Sequence, residues 1–308
     1  MRQTAYVTHP TFLLHDMGAG HPERPARLQA IDDQLLSQGI ADFLLPVEAR
    51  PATVQQLERA HDPGYVRALF AASPATGLVE LDGDTLMNPH SLDAALHAAG
   101  ACVGAVELVL GGSVDNAFCA VRPPGHHAER ARAMGFCLFN NVAVGAMHAL
   151  TEGGLARVAI LDFDVHHGNG TEDIFAGNSQ VLYCSIYQHP FYPHVGPGKP
   201  AANIIRCPLP AGSDGLAYRH ALEATWLPAM LGFKPQMLFI SAGFDAHQRD
   251  PLADMLLGEQ DFQQMTQVLV DFAADHCDGR IVSTLEGGYD LDALARCACV
   301  HLRSLMAL

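Results

Sequence analysis

Four short stretches hold the residue types that can do chemistry. Residues 160–171 read ILDFDVHHGNGT, and an apolar run leads there into Asp162, Asp164 and His166, spaced by two. On an extended backbone alternate side chains share a face, so these three are expected to converge at a strand end. An imidazole beside carboxylates is a donor set for a divalent metal. Burying two carboxylates without a cation is costly. A solvated or helix-capping loop would explain the same letters, because Gly168, Asn169, Gly170 and Thr171 read as a turn into a helix.

Residues 122–128, RPPGHHA, place His126 and His127 side by side after an apolar run, in a Pro-Gly turn. Imidazoles titrate near neutrality, so such a pair suits either metal ligation or proton transfer. An exposed histidine pair is the ordinary alternative, and the rigid, apolar flanks argue against it. Phe136 and Phe139 in the following GFCLFNN read as core residues. In FISAGFDAHQRDPLA, Asp245 follows a strand and reads as a third metal ligand or as a helix N-cap. In STLEGGYD, two glycines precede Tyr289, a phenol able to donate to a developing oxyanion, or a packing tyrosine. No GxSxG, Walker-type or GxGxxG motif competes. Cys137, close to the histidine pair, sits between Phe136 and Leu138 and reads as a buried thiol.

These residues need a scaffold that brings strand ends together. Short apolar runs at 5–8, 116–121, 157–162, 181–187, 203–209, 236–241 and 280–285 alternate with helical patterns at 25–37, 53–70, 91–111, 141–152, 215–231, 259–276 and 291–306. Near-continuous apolar strands are the mark of a parallel sheet buried on both faces. The expected fold is therefore α/β: one domain spanning 1–308, with an open, mostly parallel sheet and helices on both sides. Loops at 122–140, 189–202 and 244–258 follow strands, so they fall where open α/β sheets bind ligands. The loop at 73–90 is expected to form part of the rim, with His90 as its rim residue.

Composition sets the outer bounds. The chain has 308 residues, 49% hydrophobic and 17% charged, which suits a large core and excludes disorder as the main state. Its net charge of −15 argues against direct binding of nucleic acid. No apolar run approaches about 18 residues, so no transmembrane helix is expected, and the N-terminus lacks a signal-peptide core. The eight cysteines are scattered without a CxxC pair, which points to reduced, buried thiols and a cytoplasmic location.

PPGHHA, DFDVHHGNGT, SAGFDAH and LEGGYDL, in this order, resemble the zinc-dependent histone deacetylase family, including its bacterial deacetylase-like amidohydrolases. The resemblance runs from His21 to Leu291, and Asn169 with the EGGYD ending looks like the class II branch. It implies the arginase/deacetylase fold, with Asp164, His166 and Asp245 binding Zn²⁺ and with Fe²⁺ or Co²⁺ also acceptable to so oxygen-rich a set. It implies that His127 is the general base and then the general acid, with His126 in electrostatic support, and that Tyr289 polarises the acyl carbonyl. Asp162 would pair with His126, and Asn169 with His127, where class I relatives carry Asp. Gly135, Phe136, Tyr192 and Leu252 would line the tunnel for the acyl-lysine stem, with Tyr192 standing where a second Phe is usual. Arg27 resembles an arginine that lines an internal cavity. A structural K⁺ would sit among Asp162, Asp164, His166, Ser185 and Ile186, and an outlying one around Phe175, Asn178 and Val181.

The reaction so implied is deacetylation of N6-acetyl-lysine in a protein or peptide, with a small acylated amine such as an acetylpolyamine as the alternative substrate. Polyamine-selective relatives are expected to carry an acid shortly after the third ligand; Leu252 lies in that stretch, with Asp250 and Asp254 nearby. An arginase-like two-metal site needs a second carboxylate after Asp245, but Ala246, His247, Gln248 and Arg249 follow. A non-catalytic binding protein remains a further class, against which the presence of Tyr289 argues.

Overall fold

In a computed structural model, which describes every residue except Met1, Val195 and Pro197, ten strands form two sheets. They are β1 (Thr4–Thr8), β2 (Leu44–Glu48), β3 (Val79–Asp82), β4 (Thr85–Met87), β5 (Asn116–Cys119), β6 (Val158–Asp162), β7 (Val181–Gln188), β8 (Ile204–Leu209), β9 (Leu238–Ala242) and β10 (Ile281–Leu285). Eight of them make one sheet in the order β2-β1-β5-β10-β9-β6-β7-β8, and every pair in it is parallel. β5, β6, β7, β9 and β10 are buried at every position, in keeping with their largely apolar sequences.

Helices cover both faces. On β5, Phe118 packs edge-on against His301 of the helix Leu291–Met306, while its neighbour Cys119 faces Cys102 of the helix Ser91–Leu110. Adjacent strand residues point to opposite sides, so these two helices lie on opposite faces. Ser91–Leu110 is long and apolar enough to cross a membrane, yet 67% of its apolar window is buried inside this protein. It is a core helix by its packing.

Several local expectations need correction. Residues 53–70 form two helices, Val54–Glu58 and Pro63–Ala72, because Asp62 precedes a proline, adopts extended backbone and caps the second helix through Gly64 and Tyr65. The pattern at 215–231 is helical to Phe233 but passes through a π-helical turn at Leu222–Trp226. β2 contains Pro46, a weak strand signal that is tolerated because β2 is an edge. The segment 73–90 holds the antiparallel hairpin of β3 and β4.

Candidate active site

The carboxyl ends of the four neighbouring strands β5, β10, β9 and β6 carry all four chemical stretches. β6 ends at Asp162, and the chain then bends instead of continuing its pleat. Asp162 Oδ1 accepts from the Asp164 N–H at 3.2 Å, and Asp164 Oδ1 accepts from the His166 N–H at 2.9 Å. These side-chain turns, rather than strand alternation, aim the residues. Asp162 therefore turns aside, accepting from Tyr183 Oη at 2.8 Å and meeting His126 Nδ1 at 3.0 Å.

Asp164, His166 and Asp245 each offer a donor atom, all within 4.8 Å of one another and all buried. His166 Nδ1 stands 3.1 Å from Asp164 Oδ1 and 3.2 Å from Asp245 Oδ2. Donors about 2.0–2.1 Å from a tetrahedral ion stand about 3.3 Å apart, so the spacing fits a zinc-type ion. Charge fits too: burial and then Asp164 push the Asp245 carboxyl above its ordinary range, the behaviour of two acids sharing one site. Asp245 caps no helix; its Oδ1 accepts from the Val165 N–H at 2.9 Å, and Gly287 N–H donates to Asp164 Oδ2 at 2.8 Å. Gly287 is itself required to be small, since a Cβ there would lie 2.0 Å from Asp245 Oδ2.

The histidine pair stands beside this trio, with ring centroids 4.0 Å apart. His126 loses solvation on burial, but Asp164 and Asp162 outweigh that and hold it well above the usual imidazole range. His127 moves the other way: burial, then the charges of His126 and His166, keep it well below. Its Nδ1 meets Asn169 Oδ1 at 2.8 Å. The two rings are thus driven to different protonation states, the arrangement that separates a charge stabiliser from a base.

A pocket of about 160 Å³ opens onto these groups, lined by His126, His127, His166, Gly135, Phe136, Tyr192, Leu252, Tyr289 and Asp84 among others. Phe136 is thus a wall of the pocket and not core; its backbone is left-handed, φ 68°, and its ring meets His21 and Tyr289 edge-on. Gly135 must be glycine because a Cβ would meet the His127 ring at 2.4 Å. Phe139, by contrast, is fully buried core. His90 is exposed at the start of Ser91–Leu110 and does not line the pocket; Asp84, at the tip of the β3–β4 hairpin, does, and it accepts from the Gly135 N–H at 3.1 Å.

Three supports hold these groups, of which Glu286 was not apparent in the sequence, while Asp250 and Arg27 were named there without these roles. Buried Glu286 accepts from the N–H groups of Gly125 and His126 at 2.7 and 3.1 Å, holding the histidine turn; burial raises its carboxyl to about 7. Asp250 accepts from the Tyr289 N–H at 2.7 Å and the Leu252 N–H at 3.0 Å, tying two pocket walls together. Arg27, fully buried, donates to the carbonyls of Gly288 and Glu286 and lies 5.0 Å over the Tyr289 ring. Glutamate before two glycines and aspartate before proline were the only local signals.

Ser185 and Ile186 are buried on β7, next to the Asp162 end of β6. The outlying cation site is different. The carbonyls of Phe175, Asn178 and Val181 converge on Asn203 Nδ2 at 2.8, 3.2 and 2.9 Å, so an amide occupies the centre that a K⁺ would need. All eight cysteines are unpaired and buried.

The histone deacetylase domain matches residues 21–305. The chain belongs to the histone deacetylase family. It is 36% identical to the histone deacetylase-like amidohydrolase of Pseudomonas aeruginosa, over 93% of this chain and 77% of that protein. It is 37% identical to the human polyamine deacetylase HDAC10, over 98% of this chain but only 48% of that longer protein. The crystal structure of the HDA15 HD domain superposes with a TM-score of 0.92 at 37% identity, covering 99% of this chain and 89% of that one. This histone deacetylase relative is accordingly a deacetylase or amidohydrolase by family, on a single-domain α/β fold.

Proposed function

We propose that this protein is a zinc-dependent deacetylase of N6-acetyl-lysine in a protein or peptide. The observation that carries the reading is the pocket, walled by Phe136, Tyr192 and Leu252, that reaches His166 of the Asp164–His166–Asp245 trio, the histidine pair and Tyr289. An extended apolar stem fits such walls, and Leu252 offers no charge to a second amine of a polyamine. Bound zinc supplies Lewis acidity and acidifies a water to a pKa of about 7.

The chain's own residues then handle the protons. His127, kept neutral, accepts the proton of the attacking water at Nε2 and later delivers it to the leaving amine. Charged His126 sits beside the developing negative charge. Tyr289, whose hydroxyl stays protonated because burial raises its pKa well above the usual phenol range, donates to the carbonyl oxygen. A structural K⁺ among Asp162, Asp164, His166, Ser185 and Ile186 belongs to the same proposal, supported by the burial of all five around a carboxylate-rich strand end. So does a cytoplasmic setting, supported by eight unpaired thiols. The net charge of −15 favours approach of any cationic substrate.

The second reading, an acetylpolyamine amidohydrolase, is favoured by the likeness to a relative named polyamine deacetylase. Turnover of an acetyl-lysine peptide and of N-acetylputrescine, measured with chelator and after Zn²⁺ restoration, separates the two. Metal-dependent turnover favouring the peptide supports the proposal. Preference for the polyamine overturns the substrate, and turnover that survives chelation overturns the metal.

A further inference from the structure

We propose that Glu129 is a positioning residue that selects the working tautomer of His127 by clamping the Asn169 amide. The inference rests on the reading of His127 as the proton acceptor.

A neutral imidazole is a base only at its unprotonated nitrogen. His127 lines the substrate pocket while its Nδ1 meets Asn169 Oδ1 at 2.8 Å, so the base must be Nε2 and the ring proton must sit on Nδ1. An aspartate in place of Asn169 would enforce this whichever oxygen it presented. An asparagine does not, because turning its amide over would present Nδ2 to the ring. The ring proton would then move to Nε2, and the base would be lost.

The surroundings of Asn169 remove that choice. Its Nδ2 donates to Glu129 Oε1 at 2.8 Å and to Met134 Sδ at 3.2 Å. A carboxylate and a thioether accept but do not donate, so neither can face the amide oxygen. Glu129 is half-buried and held from its backbone: its N–H donates to the Arg132 carbonyl at 2.9 Å, and its carbonyl meets His61 Nδ1 at 3.0 Å. With Asn169 it lines a separate, solvent-open cavity of about 400 Å³, and it does not line the substrate pocket. Glu129 therefore acts through Asn169 and not on substrate.

The test uses the zinc-loaded full chain. Glu129→Ala is expected to lower kcat by about tenfold or more, the population factor that one hydrogen bond to a charged group controls, with KM within twofold. Glu129→Gln, whose own amide can present its nitrogen as readily as its oxygen, is expected to fall between the parent and Glu129→Ala. Asn169→Asp added to Glu129→Ala returns the ring proton of His127 to Nδ1, because a carboxylate has no wrong orientation. Nitrogen-15 spectra of histidine-labelled protein, with His127 assigned by difference from His127→Gln, give a readout independent of turnover. The parent shows an unprotonated Nε2, and Glu129→Ala shifts it toward the protonated form. An unshifted His127 signal in Glu129→Ala, or no return of the proton with Asn169→Asp, overturns the proposal. If the parent turns over no acyl amide, the deacetylase reading fails while the spectra still decide the role of Glu129.

Discussion

Adding one methyl group at Gly287 tests the metal site by geometry alone. A Cβ there would lie 2.0 Å from Asp245 Oδ2 and 2.6 Å from Asp164 Oδ2, where ordinary contact begins at 3.4 Å. Asp245 Oδ2 must retreat by 3.4 − 2.0 = 1.4 Å, and Asp164 Oδ2 by 3.4 − 2.6 = 0.8 Å. Zinc–ligand distances tolerate about 0.2 Å, so both acids leave the coordination sphere or drag the backbone with them. Backbone strain does not confuse the result, because Gly287, unlike Gly288, is not left-handed. Displacing ligands is worth more than the 10–100-fold lost with an outer-shell partner, so Gly287→Ala should weaken Zn²⁺ binding by at least about 100-fold, or about 2.8 kcal/mol. Competition against a chromophoric chelator measures this directly. Gly104→Ala is the control: a Cβ there meets nothing within 4 Å, inside the helix Ser91–Leu110, and should leave affinity unchanged. Affinity within threefold of the parent in Gly287→Ala would refute the assignment of Asp164 and Asp245 as ligands.

Tyr289→Phe should lower kcat by about 10²–10³ with little change in melting temperature, since the ring keeps its place under Arg27; an unchanged kcat would remove Tyr289 from the chemistry. Leu252→Glu should raise the ratio of acetylpolyamine to acetyl-lysine kcat/KM by about tenfold or more by adding a charge to the pocket wall, and a ratio that stays fixed would show that residue 252 does not select substrate. Acid stability should be governed partly by His301, buried between Thr266 and Ser283, whose pKa burial lowers from 6.5 to about 3. The depressed folded value means that its contribution is intact above pH 6.5 and is lost as pH falls toward 3, at up to about 1.4 kcal/mol per pH unit. Urea unfolding between pH 7 and 5 checks this, and His301→Gln should flatten the slope by about one proton.

The alternation of buried strands and amphipathic helices, the metal-binding residue types and the histidine pair were all legible in the sequence. Each is written within a few residues of itself: β6 and β9 as apolar runs, His126 and His127 as neighbours, Asp62-Pro63 as a helix break that the 53–70 pattern obscured. Motif order then implied the family. Which of two local meanings each residue takes was decided by the fold. Asp245 reads by itself as a helix cap until β9 and β6 lie side by side and bring it to His166, 79 residues away. Phe136 reads as core until a left-handed backbone turns it into the pocket. Glu286 reaches Gly125 across 161 residues, and Asp84 enters through a hairpin whose strands are too short to show a period. Propensity, capping and periodicity act over about four residues along the chain, whereas burial, ion pairing and ligand convergence act over a few ångströms in space. Only the parallel order of β5, β10, β9 and β6 converts one distance into the other.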